Sequence, residues 1–219
     1  MTSSRQPRRR YDATGRQSQA RENRARVIAT ATRLFVEQGY ASTSIAQVAA
    51  AARVSAPTVF AHFASKANLL KVAVDVAIAG DDEQVPLHQR PAMLRVHQAT
   101  TADQVLERFA AAGSEVAARV NPLFEVVRAA ADADPEIAAL AEELDRQRLA
   151  GTGIIAAAFA ERLGVRDDPQ AVERIRDTIW TMFSPQVYGL LVVQRGWSPE
   201  EYRAWVVRAA SAAASHPAV

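Results

Sequence analysis

Apolar side chains recur at helical spacing from about Ala20 onward. Val27, Ile28, Ala31, Leu34 and Phe35 stand at i, i+1, i+4, i+7 and i+8, one stripe of an amphipathic helix. Gly39 is placed to stop it, because glycine takes the left-handed backbone of a helix C-terminus without penalty. Ser44 then caps a second helix with Ile45, Val48 and Ala49 on its inner face, and Gln47 completes a capping box. That helix ends near Ala52, and Arg53-Val54 makes a short turn. Ser55 caps a third helix, with Pro57 in the first turn, where no intrahelical N–H bond is lost. Ser65 caps a fourth, carrying Leu69, Leu70 and Ala73. Two short helices joined by a tight turn and braced by a longer one predict a helix-turn-helix over residues 44–63.

The remainder also reads as helix, since runs of β-branched residues are scarce and Gly or Pro marks almost every break. The expected helices lie near 102–119, 122–131, 135–162, 168–195 and 198–215. Asp134-Pro135 opens one, and Ser198-Pro199-Glu200-Glu201 opens the last, with acids against the helix dipole. Residues 80–101, interrupted by Pro86 and Pro91, give the weakest pattern. Pro185 falls inside an expected helix, where it removes the bond to the Thr181 carbonyl and predicts a kink. Such a kink either opens a cavity between helices or bends the helix round a partner. The predicted fold class is all-α: a flexible basic arm (1–19), a helix-turn-helix domain (20–80) and a larger helical domain (81–219).

Charge sharpens this picture. Residues 1–71 hold 12 Lys+Arg against 3 Asp+Glu, while the remaining residues hold 14 against 21, so balances of +9 and −7 underlie the net +2. The first third attracts a polyanion and the rest repels it. About half of that asymmetry sits in the arm, where residues 1–26 hold eight arginines against Asp12 and Glu22.

The chain has no cysteine, which excludes disulfide, thiol and zinc-finger chemistry. No apolar run is long enough for a membrane span, and no signal-peptide core follows the basic N-terminus, so a cytoplasmic, nucleoid-associated setting is expected. The four histidines, His62, His88, His97 and His216, lack metal-ligand spacing, and no phosphate-binding glycine loop follows a strand. Glu142 and Glu143 are neighbours on a helix and cannot face each other. Neither enzyme activity, nor a metal, nor a cofactor is expected.

The stretch "VSAPTVFAHFASK" (54–66) carries no acid. Val54, Val59 and Phe63 supply its buried side, and Ser55, Ala56, Pro57, Thr58, Ala61 and His62 face outward. Small outward side chains let a helix backbone approach closely, as entry into a major groove about 12 Å wide requires. Phosphates would then meet Thr43, Ser44, Thr58, His62, Lys66 and the free N–H groups of helix N-termini. Gln47 is the best base reader, suited to adenine, with thymine methyl contacts from Ala56, Pro57 or Val59. With so few bidentate groups, specificity is expected to lean on DNA shape and on Arg8, Arg9 and Arg10 entering a narrow minor groove.

Residues 24–72, "RARVIATATRLFVEQGYASTSIAQVAAAARVSAPTVFAHFASKANLLKV", resemble the DNA-binding domain of the tetracycline-repressor (TetR) family. The "LF.E.GY..TS" and "VS.PT.F.HF.SK..LL" segments and their separation carry the likeness. The segment "SPQVYGLLVVQRGWSPEEYRAWVV" resembles the last two helices of some members more weakly. The resemblance implies that Thr43 and Lys66 touch phosphates and that His62 lies near the DNA backbone. Two positions depart from the family pattern. Phe60 replaces a usual tyrosine, so one phosphate hydrogen bond of roughly 0.5–1.5 kcal/mol is missing. Arg53 replaces a turn glycine and must either accept a positive φ or reshape the turn, for which reaching a phosphate would compensate.

The resemblance also implies a homodimer built from the last two helices, with Val187, Leu190, Leu191, Tyr202, Trp205, Val206 and Ala209 at the interface. It further implies a pocket for a small apolar effector, for which Phe109, Phe124, Trp180 and Phe183 are the candidate lining. The partners expected are therefore a double-stranded palindromic DNA operator, a second copy of the chain and the effector. The function so implied is a ligand-released repressor, with activation or co-repression as variants. A non-specific nucleoid DNA-binding protein without a ligand is the alternative.

Overall fold

The structure, a computed structural model, describes residues 13–83 and 85–215. It is all-α, with no strand among the described residues. In order, the helices are α1 (Ala13–Ser42), α2 (Ile45–Ala52), α3 (Ala56–Phe63), α4 (Lys66–Ala79), α5 (Pro91–His97), α6 (Ala102–Ala131), α7 (Pro135–Leu163), α8 (Pro169–Met182), α9 (Pro185–Tyr188) and α10 (Pro199–Ser215). A π-helical segment, Gly189–Gln194, continues α9.

Three expectations need correction. Helix α1 begins at Ala13, inside the stretch read as a flexible arm. Side-chain bonds one turn apart extend it: Ser18 Oγ donates to Glu22 Oε1 at 3.0 Å and Gln19 Nε2 to Asn23 Oδ1 at 3.1 Å. Residues 102–131 form one helix, not two, although Pro122 lies inside it. Pro122 and Ala118, whose carbonyl loses its partner, are both exposed, so that carbonyl meets water. Finally, Pro185 does not kink a continuous helix. The chain leaves α8 at Phe183, Ser184 Oγ accepts the Val187 N–H at 3.1 Å, and Pro185 occupies the first turn of α9. A new cap supplies the bonds that a proline within a helix would have lost.

The other signals behave as expected. Gly39 interrupts α1 at φ 80°, ψ 166°. Ser198 and Glu201 close a capping box at the start of α10, at 2.7 and 3.1 Å.

Two hydrophobic cores organise the chain. The first joins α1–α4 to Leu123, Val126 and Val127 of α6 and Ile137, Leu140 and Leu144 of α7. The second packs Val105, Leu106, Ile155, Phe159, Ile175, Ile179, Tyr202 and Val206. The division expected at residue 80 thus falls at a helix end, Gly80 capping α4, while the first core continues across it. Helix α6 is the common strut, touching α1, α4, α5, α7, α9 and α10. From it Arg119 donates to the Ala77 and Ile78 carbonyls at 2.9 and 3.3 Å, satisfying the C-terminal end of α4.

Where α6 meets α9, buried Asn121 donates from Nδ2 to the Pro185 carbonyl at 2.9 Å. A Cβ on Gly189 would stand 2.8 Å from that nitrogen. Helix propensity favours alanine over glycine by roughly 0.8–1 kcal/mol, but a buried amide pushed off its partner costs about 1–3 kcal/mol. Gly189→Ala is therefore expected to destabilise by about 1–2 kcal/mol, read as a lower Tm in thermal unfolding; a higher Tm would show that the amide relaxes freely.

Candidate nucleic-acid interface and internal cavity

The helix-turn-helix is built as its sequence predicts. Ser44 N–H donates to Gln47 Oε1 at 2.7 Å and Gln47 N–H to Ser44 Oγ at 3.2 Å, the capping box of α2. Ile45, Val48, Ala49 and Ala52 are buried. At the turn Arg53 adopts φ 56°, ψ 44°, and Arg53 and Val54 donate to the Ala50 and Ala49 carbonyls. This is the pattern that a glycine usually closes, here carried by an arginine at a cost of roughly 1–2 kcal/mol. Arg26 of α1 adds a bond from Nε to the Ala52 carbonyl at 2.8 Å, which ties the end of α2 to the bracing helix.

Ser55 caps α3 through the Thr58 N–H at 3.2 Å, and the two hydroxyls lie 2.7 Å apart. Val59 and Phe63 face the core, with Arg24 over the Phe63 ring at 5.6 Å. Outward stand Pro57, Ala61 and His62, with Ala56 and Thr58 partly covered. Phe60, 52% exposed, joins them as an apolar surface residue. Helix α3 ends at Ala64, whose φ of 59° and ψ of −46° are rare for an L-residue, and Ser65 caps α4.

One assigned phosphate contact is turned inward and a second is partly engaged within the chain. Thr43 is 1% exposed, and its hydroxyl donates inward, toward the Gly39 and Leu34 carbonyls at 2.9 and 3.2 Å. A buried hydroxyl must be bonded, and here the end of α1 supplies the acceptors. Thr43 is thus a side chain of the α1–α2 corner. Lys66 donates from Nζ to the Tyr40 carbonyl at 2.9 Å and lies over the Tyr40 ring at 4.0 Å, which leaves it two further N–H donors. Burial and the Asp134 carboxylate push the Tyr40 hydroxyl up to about 12, so the ring beneath Lys66 remains neutral. Gln47 likewise spends its Oε1 on the capping box, leaving its NH₂ group outward. Arg8, Arg9 and Arg10 lie outside the described residues.

Arg53 is exposed, with no ion pair among the described residues. Arg53→Gly should relieve the positive φ and raise stability by about 1 kcal/mol. If Arg53 meets a phosphate, the same change lowers the slope of log affinity for DNA against log salt by about 1. An unchanged slope would remove Arg53 from the interface.

The second structural feature is a cavity of about 240 Å³ between α6, α7 and the α8–α9 break. Phe109, Phe124 and Phe183 line it, and so does Pro185, at the α8–α9 break. Trp180 is not part of the lining. It is taken up by Arg148, whose guanidinium lies 4.3 Å from the ring centroid and donates to the Trp180 carbonyl. Arg148 itself lines the cavity and was missed in the sequence. The signal was present: Leu144, Arg148, Thr152, Ile155 and Phe159 share one helical stripe, and an arginine in an apolar stripe is out of place.

The expected dimer residues divide in two. Tyr202 and Val206 are fully buried within the second core, because α10 turns them onto α6 and α8, and so they do not face a partner. Leu190 is 52% exposed, Val187, Leu191, Trp205 and Ala209 are partly covered, and Val193, which was not singled out, is 65% exposed. The π-helical segment turns Leu190 and Val193 to the surface.

These features define an all-α protein with an N-terminal helix-turn-helix and a helical domain enclosing its own cavity. Residues 27–73 match the family of bacterial regulatory proteins designated tetR. Over 65 residues it is 34% identical to the HTH-type transcriptional regulator HbdR of Aromatoleum sp. (strain CIB), a match covering 30% of this chain and 28% of that relative's length. The fold agrees over nearly the whole chain with solved structures assigned to the TetR family. One, from Rhodococcus sp., aligns with a TM-score of 0.67 at 15% identity, covering 89% of this chain and 100% of the other. Another, from Syntrophomonas wolfei, aligns with a TM-score of 0.67 at 19% identity, covering 91% and 98%. No described helix is long and apolar enough to cross a membrane.

Proposed function

We propose that the chain is a homodimeric transcriptional regulator that binds a palindromic DNA operator through α3 and is released by a small molecule held in the cavity. The observation that carries this reading is the outward surface of α3: small side chains and no acid, at the basic end of the chain, within a domain that matches the TetR family. Ser55, Ala56, Pro57, Thr58, Phe60, Ala61 and His62 make up this surface, Ser44 and Gln47 of α2 and Arg53 of the turn adjoin it, and Lys66 is at its edge. One such helix reads only a few base pairs, so two copies about 34 Å apart are needed for an operator. Exposed Leu190 and Val193 are the natural surface for the pairing.

Ligand response follows from the position of α6. It lines the cavity with Val116, Ala117, Val120 and Phe124, and through Arg119 it holds the end of α4. A ligand that favours a conformation with mismatched half-site spacing weakens DNA binding by about 1–3 kcal/mol, an ordinary coupling energy.

Fluorescence anisotropy against the DNA flanking the chain's own gene, with excess competitor and a salt series, tests the reading. The expected result is one dimer on one palindromic site, resistant to competitor. Binding that vanishes with competitor at every flanking site would favour a non-specific nucleoid-binding protein, which the charge of +9 over residues 1–71 also suits.

A further inference from the structure

The cavity is largely apolar, with Gln147, Arg148 and Thr152 as its polar lining. Ile78, Met93, Val116, Phe109, Phe124 and Phe183 supply hydrocarbon and aromatic surface, and Arg148 is the charged residue in the lining. An arginine in such a wall is costly unless its charge and its donors are matched. They are matched only in part. Of its five N–H groups, one donates to the Trp180 carbonyl and one to Asp145 Oδ1 at 3.2 Å. Asp145 is half exposed, so water screens the charge it offers, whereas the Arg148 side chain is only 15% exposed. Arg148 Nε is buried without a hydrogen-bond partner among the described residues, and so is the indole Nε1 of Trp180, the ring on which the guanidinium stacks. The wall therefore holds a desolvated positive charge with one buried donor unserved, Trp180 Nε1 lies unserved behind it, and no anion stands in the lining. Burial pushes Arg148 down from its usual value, consistent with a charge that lacks full compensation. Arginine nevertheless remains protonated.

We propose that the effector is a small monocarboxylic acid with an apolar body, its carboxylate bound by Arg148 and its body filling the space between Phe109, Phe124 and Phe183. This deepens the effector-responsive reading given above and rests on it. Size and charge narrow the class. A cavity of about 240 Å³ lies below the roughly 300–1,000 Å³ of drug-sized sites, so it suits a medium-chain or aryl-substituted acid. A dianion is disfavoured, because Arg148 is the one charged residue in the lining and it already shares its charge with Asp145. A neutral apolar molecule would leave the Arg148 charge as it stands and gain nothing from it.

The test compares octanoate, octanamide and octanol by calorimetry and thermal shift on the full chain without DNA. Octanoate should bind about tenfold or more tightly than the amide or the alcohol, because hydrogen bonds to a charged group are the strong ones. Arg148→Gln should bring octanoate down to the level of octanamide, while Arg148→Lys, which keeps the charge but loses the planar fork, should fall between. The wild-type comparison stands even if Arg148→Gln fails to fold. Equal binding of all three compounds, absence of octanoate binding, or an acid preference that survives Arg148→Gln would each overturn the proposal. With no DNA in the titration, such failure leaves the DNA-binding reading standing. Octanoate binding with no change in operator affinity would instead overturn effector release and leave the carboxylate site in place.

Discussion

Tyr202→Ala should cost about 3–5 kcal/mol of stability, with Tm falling by roughly 10 °C, because the side chain it removes is the largest fully buried one in the second core. The ring meets Tyr188 edge-on at 5.2 Å, and its hydroxyl donates to the Met182 carbonyl at 2.9 Å. That carbonyl belongs to the last turn of α8, whose acceptors have no helical partner of their own. Burial, reinforced by Tyr188, pushes the Tyr202 hydroxyl far above its usual value, so it remains a donor at every working pH. Tyr202→Phe isolates the hydroxyl and should cost about 1–3 kcal/mol, since it orphans a buried acceptor. The two variants also separate core from interface. A core residue lowers the unfolding free energy at any protein concentration, measured in urea. Loss of dimer by sedimentation with unchanged subunit stability would return Tyr202 to the interface that the sequence first suggested.

Why Tyr202 misled while the helix-turn-helix did not is a question of which interactions are local. Ser44 with Gln47, Ser55 with Thr58 and Ser198 with Glu201 act within one helical turn, so spacing alone reveals them. The positive φ of Arg53 follows equally from a glycine-like position at a helix end. Thr43 and Lys66 differ because their fates depend on the return of α1 past α2: Thr43 finds the Leu34 carbonyl, and Lys66 reaches the Tyr40 carbonyl, 26 positions earlier. A hydroxyl or ammonium that suits a phosphate suits a backbone carbonyl equally well. Burial decides between them, and burial is a tertiary property. The same holds for α10, where Tyr202, Trp205, Val206 and Ala209 make one apolar stripe. Periodicity marks the stripe as covered, but only packing shows that α6 and α8 do the covering at Tyr202 and Val206. Pro185 was legible as a break and not as a capped restart, because Ser184 had to leave the helix before its hydroxyl could accept.

Ala61→Glu should weaken operator binding by about 3 kcal/mol, more than 100-fold, while Ala61→Gln changes it less than tenfold. Ala61 is exposed in the outward surface of α3, one turn after Pro57 and beside His62. In the proposed complex that surface enters a groove walled by phosphates, and a carboxylate held against them suffers like-charge repulsion worth several kcal/mol. Glutamate and glutamine have nearly equal volume and helix propensity, so their difference reports charge alone, and neither disturbs the buried Val59 and Phe63. Both variants should therefore unfold at the wild-type temperature. The deficit should also shrink as salt rises, since screening acts over roughly 10 Å at 0.1 M. In the proposed dimer the substitution acts at both half-sites, which places the effect among the largest available to a surface change. Equal losses for glutamate and glutamine would mean that bulk is what α3 cannot tolerate, and so that Ala61 sits against the bases. If neither variant weakens binding, α3 does not enter the groove, and the basic end of the chain holds DNA by another surface.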